Sequence, residues 1–184
     1  MLKFSGSGEI TSANGSTLQT FTDPDLECEF SGRLTGNIRL NACNRVMLTG
    51  TNSTTSAHIS ALGNGKGSYE SGALIGVMKF GNQKDASSSV GTVGSVSFGQ
   101  TSTPAGGFLY LGKGETSDRN FAFRNYAPNS FAFIDGGANG GLELTGDLIV
   151  GNVASTINHS LALSGSNRTD CVFGRLIDDH TDSN

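Results

Sequence analysis

The chain has 184 residues, a formal net charge of −4 and a pI near 5.2, and charged residues make up only 15% of it. No basic stripe is present, so nucleic acid is not an expected partner, and no apolar run approaches the ~20 residues of a membrane helix. Glycine reaches 27 residues without collagen's period of three, and the apolar 35% falls in short alternating runs that set the chain apart from disordered sequences.

The N-terminal run Met1-Leu2-Lys3-Phe4-Ser5-Gly6 lacks the apolar core of a signal peptide. That leaves a cytoplasmic protein or an excerpt of a longer chain, and because the repeats start and stop without obvious caps we expect an excerpt of a longer repeat protein, folded as a single domain over 1–184. Period-2 alternation predicts strands at Leu26–Phe30, Ile38–Ala42, Val46–Leu48, Leu74–Phe80, Val93–Phe98 and Phe108–Leu111. Further strands are predicted at Phe121–Phe123, Phe131–Ile134, Leu142–Leu144, Leu148–Val150 and Leu161–Leu163. Most end in Gly, Asn or Asp, which tolerate the turn conformations that stop a strand. The stretches 53–71, 81–89 and 112–120 read as surface loops. No segment of ten or more residues has helical periodicity.

Two similar cassettes, Leu34-Thr35-Gly36 running on to Leu48-Thr49-Gly50-Thr51-Asn52 and Leu144-Thr145-Gly146 running on to Leu163-Ser164-Gly165-Ser166-Asn167, point to internal repetition. Paired apolar residues give a finer period: Leu109 to Phe131 is 22 residues, Phe121 to Leu142 is 21 and Leu142 to Leu161 is 19. A chain that returns to one face after about 20 residues predicts an all-β solenoid whose rungs must stack to bury their apolar faces. At a spacing of ~4.8 Å this gives roughly eight or nine rungs and a rod of about 40 Å. Phe121, Phe123, Phe131 and Phe133 are expected to stack in its interior, and Asn52 and Asn167 to form amide ladders at its turns.

The run Phe108-Leu109-Tyr110-Leu111-Gly112-Lys113-Gly114-Glu115-Thr116-Ser117-Asp118-Arg119-Asn120-Phe121, followed by Ile134-Asp135-Gly136-Gly137 and the second cassette, is similar to the autotransporter-associated β-strand repeat regions of large secreted bacterial proteins. The resemblance is good from about Phe98 onward and looser before it. The family's Gly-Thr-Gly stretch, aromatic strand and Gly-x-Asn-x-Tyr-x-Gly turn are not present in full. The resemblance implies a right-handed parallel β-helix, exported and displayed or released at the cell surface as a passenger or stalk. Partners would be neighbouring repeats or like subunits, and host or matrix glycans.

β-Helices also include glycan lyases and hydrolases, whose sites converge acids and bases across adjacent rungs. The candidates are Glu115, Asp118, Arg119, Arg124 and Asp135, but they do not recur at rung spacing. Turn chemistry, with Asp118 and Asp135 bonding their own backbone, is the stronger reading. The acidic clusters Asp23-Pro24-Asp25-Leu26-Glu27 and Asp178-Asp179 match no calcium motif, and Gly136–Gly141 lacks the aspartate of the calcium nonapeptide. His58, His159 and His180 are scattered. Gly63–Ser68 lacks phosphate-loop spacing. The sequons at Asn14, Asn52, Asn158 and Asn167 are expected by chance in a Ser/Thr-rich chain. Cys28, Cys43 and Cys171 fit no zinc pattern. Cys28 shares the parity of Leu26 and Phe30 and reads as a small buried hydrophobe, while a Cys28–Cys43 disulfide stays open. The expectation is a structural, non-catalytic segment without catalytic, cofactor or metal residues. A self-assembling filament subunit and a glycan-binding or glycan-cleaving β-helix are the alternatives.

Overall fold

The computed structural model describes residues 2–20, 27–62, 73–93, 95–98, 105–123, 130–137, 139–150, 159–165 and 172–178. Among these there is no helix. The fifteen strands are β1 (Leu2–Phe4), β2 (Glu9–Thr20), β3 (Glu27–Phe30), β4 (Arg33–Ala42), β5 (Arg45–Leu48), β6 (Ile59–Ala61), β7 (Ala73–Val77) and β8 (Ser95–Phe98), followed by β9 (Ala105–Tyr110), β10 (Glu115–Ser117), β11 (Asn120–Phe123), β12 (Ser130–Asp135), β13 (Leu142–Val150), β14 (His159–Ser164) and β15 (Val172–Asp178).

Successive strands alternate between two parallel sheets, except that β10 and β11 follow one another in the same sheet. Sheet 1 runs β1-β3-β5-β7-β9-β12-β14. Sheet 2 runs β2-β4-β6-β8-β11-β13, with β10 beside the first part of β13 and β15 on its far side. A chain that visits each sheet in turn and pairs only with the previous and next visits is a coil. Seven turns are described, about 30 Å from first to last strand at ordinary spacing.

Alternation along each strand sends one set of side chains inward, and parallel register stacks them in rows. Cys28, Val46, Ile75, Phe108 and Ile134 form one row in sheet 1, all buried. Leu40, Ile59, Val96, Phe121 and Leu148 form its counterpart in sheet 2. The rows meet in an aromatic cluster. Phe98 lies 5.3 Å from Phe108 and 5.7 Å from Phe121, and Phe80 lies 5.5 Å from Phe121. Each such pair adds about 0.5–1.5 kcal/mol beyond the area it buries. Phe121 and Phe123 are interior as expected, and each packs against Phe98, at 5.7 and 5.4 Å. The side chains of Phe131 and Phe133, and Asn167, lie outside the described residues.

The turns are not uniform in length. Val46 sits beside Cys28, a step of 18 residues, whereas Ser97 sits beside Ser60, a step of 37. In the second half Glu143 lies beside Thr116, 27 residues on. Apolar periodicity suggested about 20 because it joined residues that are not register partners: Leu109 pairs with Asp135 and not Phe131, and Phe121 with Leu148 and not Leu142. The register counts complete turns, and these carry loops of varying size.

Several strands are longer than, or missing from, the alternation pattern. β2, β6, β10 and β15 were not expected, nor was β1. β2 is a twelve-residue, largely polar and mostly exposed strand, and it is held by pairing to β4 along its length. The 112–120 stretch is not a simple surface loop: it contains β10, with Ser117 and Arg119 fully buried. The 53–71 stretch likewise contains β6 and buries Ser53 and Thr55.

The two Leu-Thr-Gly cassettes occupy equivalent places. Leu34 and Leu144 are inward residues near the start of long sheet 2 strands. Where β13 pairs with β15 the register slips between Leu144 and Asp147, and where β2 pairs with β4 the slip falls beside Gly36. Gly36 has φ +68°, and a Cβ there would sit 2.5 Å from the Ser12 carbonyl oxygen. The glycine lets the strand kink while its neighbour stays in contact.

Cys28 is 2% exposed, and both Cys28 and Cys43 are free thiols. Burial pushes the Cys28 thiol above its ordinary pKa. Cys43 instead accepts a hydrogen bond from the Gln19 side chain at 3.3 Å. Cys171 lies outside the described residues.

Candidate functional site

The charged residues singled out between Glu115 and Arg119 do come together, but around backbone. The segment 78–93 leaves the coil after β7 and returns at β8, and the β10–β11 strand pair lies beneath it. Arg119 follows Ser117 and precedes Phe121 on the inward parity, so its side chain enters the interior. It is 0% exposed.

An isolated buried cation is costly unless its donors are satisfied. Arg119 meets this with carbonyls. Nε donates to Phe80 O at 3.0 Å and Nη1 to Val93 O. Nη2 donates to Asn82 O at 2.7 Å, to Gly91 O at 3.0 Å and to Ser88 Oγ at 3.4 Å. Four carbonyl dipoles thus converge on the planar fork, a pattern that suits guanidinium and not ammonium. Desolvation lowers the Arg119 pKa to about 10, opposed by the charges of Asp118, Asp85 and Glu115. At neutral pH the group remains a cation.

The neighbours of Arg119 address the same segment. The Glu115 carboxylate accepts from Phe80 N at 2.6 Å and Gly81 N at 3.0 Å. Ser117 Oγ donates to Gly81 O at 2.5 Å. Asp118 Oδ1 accepts from Gln83 N at 2.7 Å, while Asp118 N donates to the Asn82 side chain at 3.1 Å. Asp118 therefore bonds the opposite segment and not its own turn, which corrects the sequence reading. Within the loop, Asp85 accepts from both N and Oγ of Ser87, at 2.8 and 2.7 Å, and lies 3.5 Å from Lys79. These contacts, the Ser87 N–H first, hold its carboxyl below the usual range.

Asp135 stands apart. Its Oδ1 accepts from Gly137 N at 2.7 Å, two residues on, an Asx turn as expected. Gly137 has φ +72°. Glu115, Asp118 and Arg119 are thus gathered around one loop backbone, while Asp135 serves another turn. Arg124, Asp23, Asp25, Asp179, His180 and the Gly63–Ser68 stretch lie outside the described residues. Among the described residues no three His, Cys, Asp or Glu side chains group as metal ligands.

The burial of Arg119 was not anticipated. Its parity with Phe121 and Phe123 was the available signal, outweighed by the habit of placing arginine in solvent. No family model, no curated protein and no solved structure matches this chain.

Proposed function

We propose that the chain is a structural, non-catalytic segment of a right-handed parallel β-helix, serving as stalk or passenger of an exported cell-surface protein. The handedness rests on the rule that crossovers between parallel strands of one sheet are right-handed in about 98% of cases. The export and surface role rests on the resemblance of the 108–121 run to autotransporter-associated repeats.

The observation that carries the structural role is the commitment of Glu115, Asp118 and Arg119 to backbone partners. A general acid or base must reach a reacting atom, and these groups hold a loop. The test is a polysaccharide panel scored for unsaturated and reducing-end products, alongside negative-stain microscopy. Isolated short rods without cleavage products are expected. Cleavage abolished by Asp135→Asn would overturn the reading.

A filament subunit is the second reading. Phe4 in β1 is 50% exposed and Leu163 in β14 is 52% exposed, and these are the first and last strands of sheet 1. Open strand edges with apolar row members can template further stacking. Long fibres in the same micrographs, lost on Leu163→Lys, would favour it.

A further inference from the structure

The outer face of sheet 2 carries a polar row that the core does not use. Thr17 lies beside Arg39, and Ser95 lies beside Asn120. His58 occupies the register position between Arg39 and Ser95, its carbonyl accepting from Leu40 N at 2.9 Å. Two residues further along the same strands, Ser60 and Ser97 are buried and their hydroxyls bond each other at 2.7 Å.

Two hollows follow these rows. One is lined by Gly15, Ser16 and Thr17, and the other runs on past His58 and Ser95 to Ile149. They share Asn37, Arg39 and Ala57 and so form one trough. It crosses β2, β4, β6, β8, β11 and β13, about 24 Å at ordinary strand spacing. Gln83 and Val93 form part of its wall. Both belong to the segment fixed from below by Asp118 and Arg119, so the wall is rigid before any ligand arrives.

The residues lining the hollows include no Asp or Glu, although the chain as a whole carries −4; the row meets its first carboxylate at Asp147, beside Asn120 at the end away from Arg39. Arg39 is exposed and has no ion pair or hydrogen bond among the described residues. Asn120 Oδ1 accepts from Asp147 N at 2.8 Å, which leaves its NH2 as a donor. The lining has no Phe, Tyr or Trp, and its single ring is the His58 imidazole, whereas single-strand nucleic acid binding draws on successive aromatic platforms along a basic groove.

We propose that this trough binds a linear acidic polysaccharide lying across the strands. Carboxylates pair with the Arg39 fork, which suits bidentate contact, and sugar hydroxyls exchange hydrogen bonds with the amides and hydroxyls of the rows. The site depends on the sheet 2 surface and not on the surface-stalk role, so each can fail alone.

The test is calorimetric titration of the full chain with polygalacturonate, neutral dextran and an oligothymidylate. Polygalacturonate should bind, dextran at least tenfold more weakly, and the oligothymidylate likewise. Arg39→Gln, at an exposed position, should weaken polygalacturonate binding at least tenfold with the melting temperature unchanged. Ser95→Phe should obstruct the trough independently of charge. Absence of binding at millimolar uronate, binding unaltered by Arg39→Gln, or equal affinity for oligothymidylate would overturn the proposal.

Discussion

Arg119 takes its charge into the interior and directs Nε, Nη1 and Nη2 at the 78–93 segment. Truncating it would orphan the carbonyls of Phe80 and Val93, while those of Asn82 and Gly91 keep Asp85 N and Ser88 Oγ as donors. Each buried orphan costs about 1–3 kcal/mol, so Arg119→Met should lower stability by at least ~2 kcal/mol in urea denaturation. Arg119→Lys should not restore it, because a single ammonium cannot span four acceptors. Asp85 makes a separate prediction. Its folded pKa is depressed, so its stabilisation is complete above the ordinary carboxyl value and is lost as pH falls through the lower folded value. Acid titration should therefore loosen the loop, read as proteolysis within 79–93, and Asp85→Asn should loosen it already at neutral pH while flattening that dependence. Asp135 was legible from sequence because an Asx turn is local. The Arg119 cluster was not, because its partners lie 26 to 39 residues away and only the fold brings them near.

At the scale of elements, alternation revealed the strands that bury apolar rows and missed those that do not. β2 and β10 are polar, and their strand state comes from a parallel neighbour that completes their backbone hydrogen bonds. Propensity cannot report such tertiary pairing. The Leu-Thr-Gly cassettes were legible as repetition, and their physical content is a kink. Gly36→Ala forces a side chain into positive φ against the Ser12 carbonyl and should cost about 2 kcal/mol or more, measured by chemical denaturation. Thr20 ends an inward row in sheet 2 and is 7% exposed, with its hydroxyl unpaired. Thr20→Val keeps the shape and removes the orphan, so it should raise stability by about 1 kcal/mol in the same assay.

For the molecule as a whole, stability is a sum over neighbouring turns, since each strand pairs with the turns before and after it. All long-range order follows from two alternating visits per turn. Repetition in the sequence made the coil legible, but the turn length was not, because loops such as 78–93 enlarge some turns without altering the rows. The central claim is that residues a full turn apart are strand neighbours. The most direct measurement is oxidative cross-linking of Ser60→Cys/Ser97→Cys in a chain whose three native cysteines are replaced by alanine. These positions are 37 residues apart, with side chains in contact on the outer face, where parallel neighbours lie within disulfide reach. The coil predicts a rapid intramolecular disulfide that leaves the chain monomeric and does not lower its melting temperature. Failure to cross-link, or cross-linking only between chains, would contradict it.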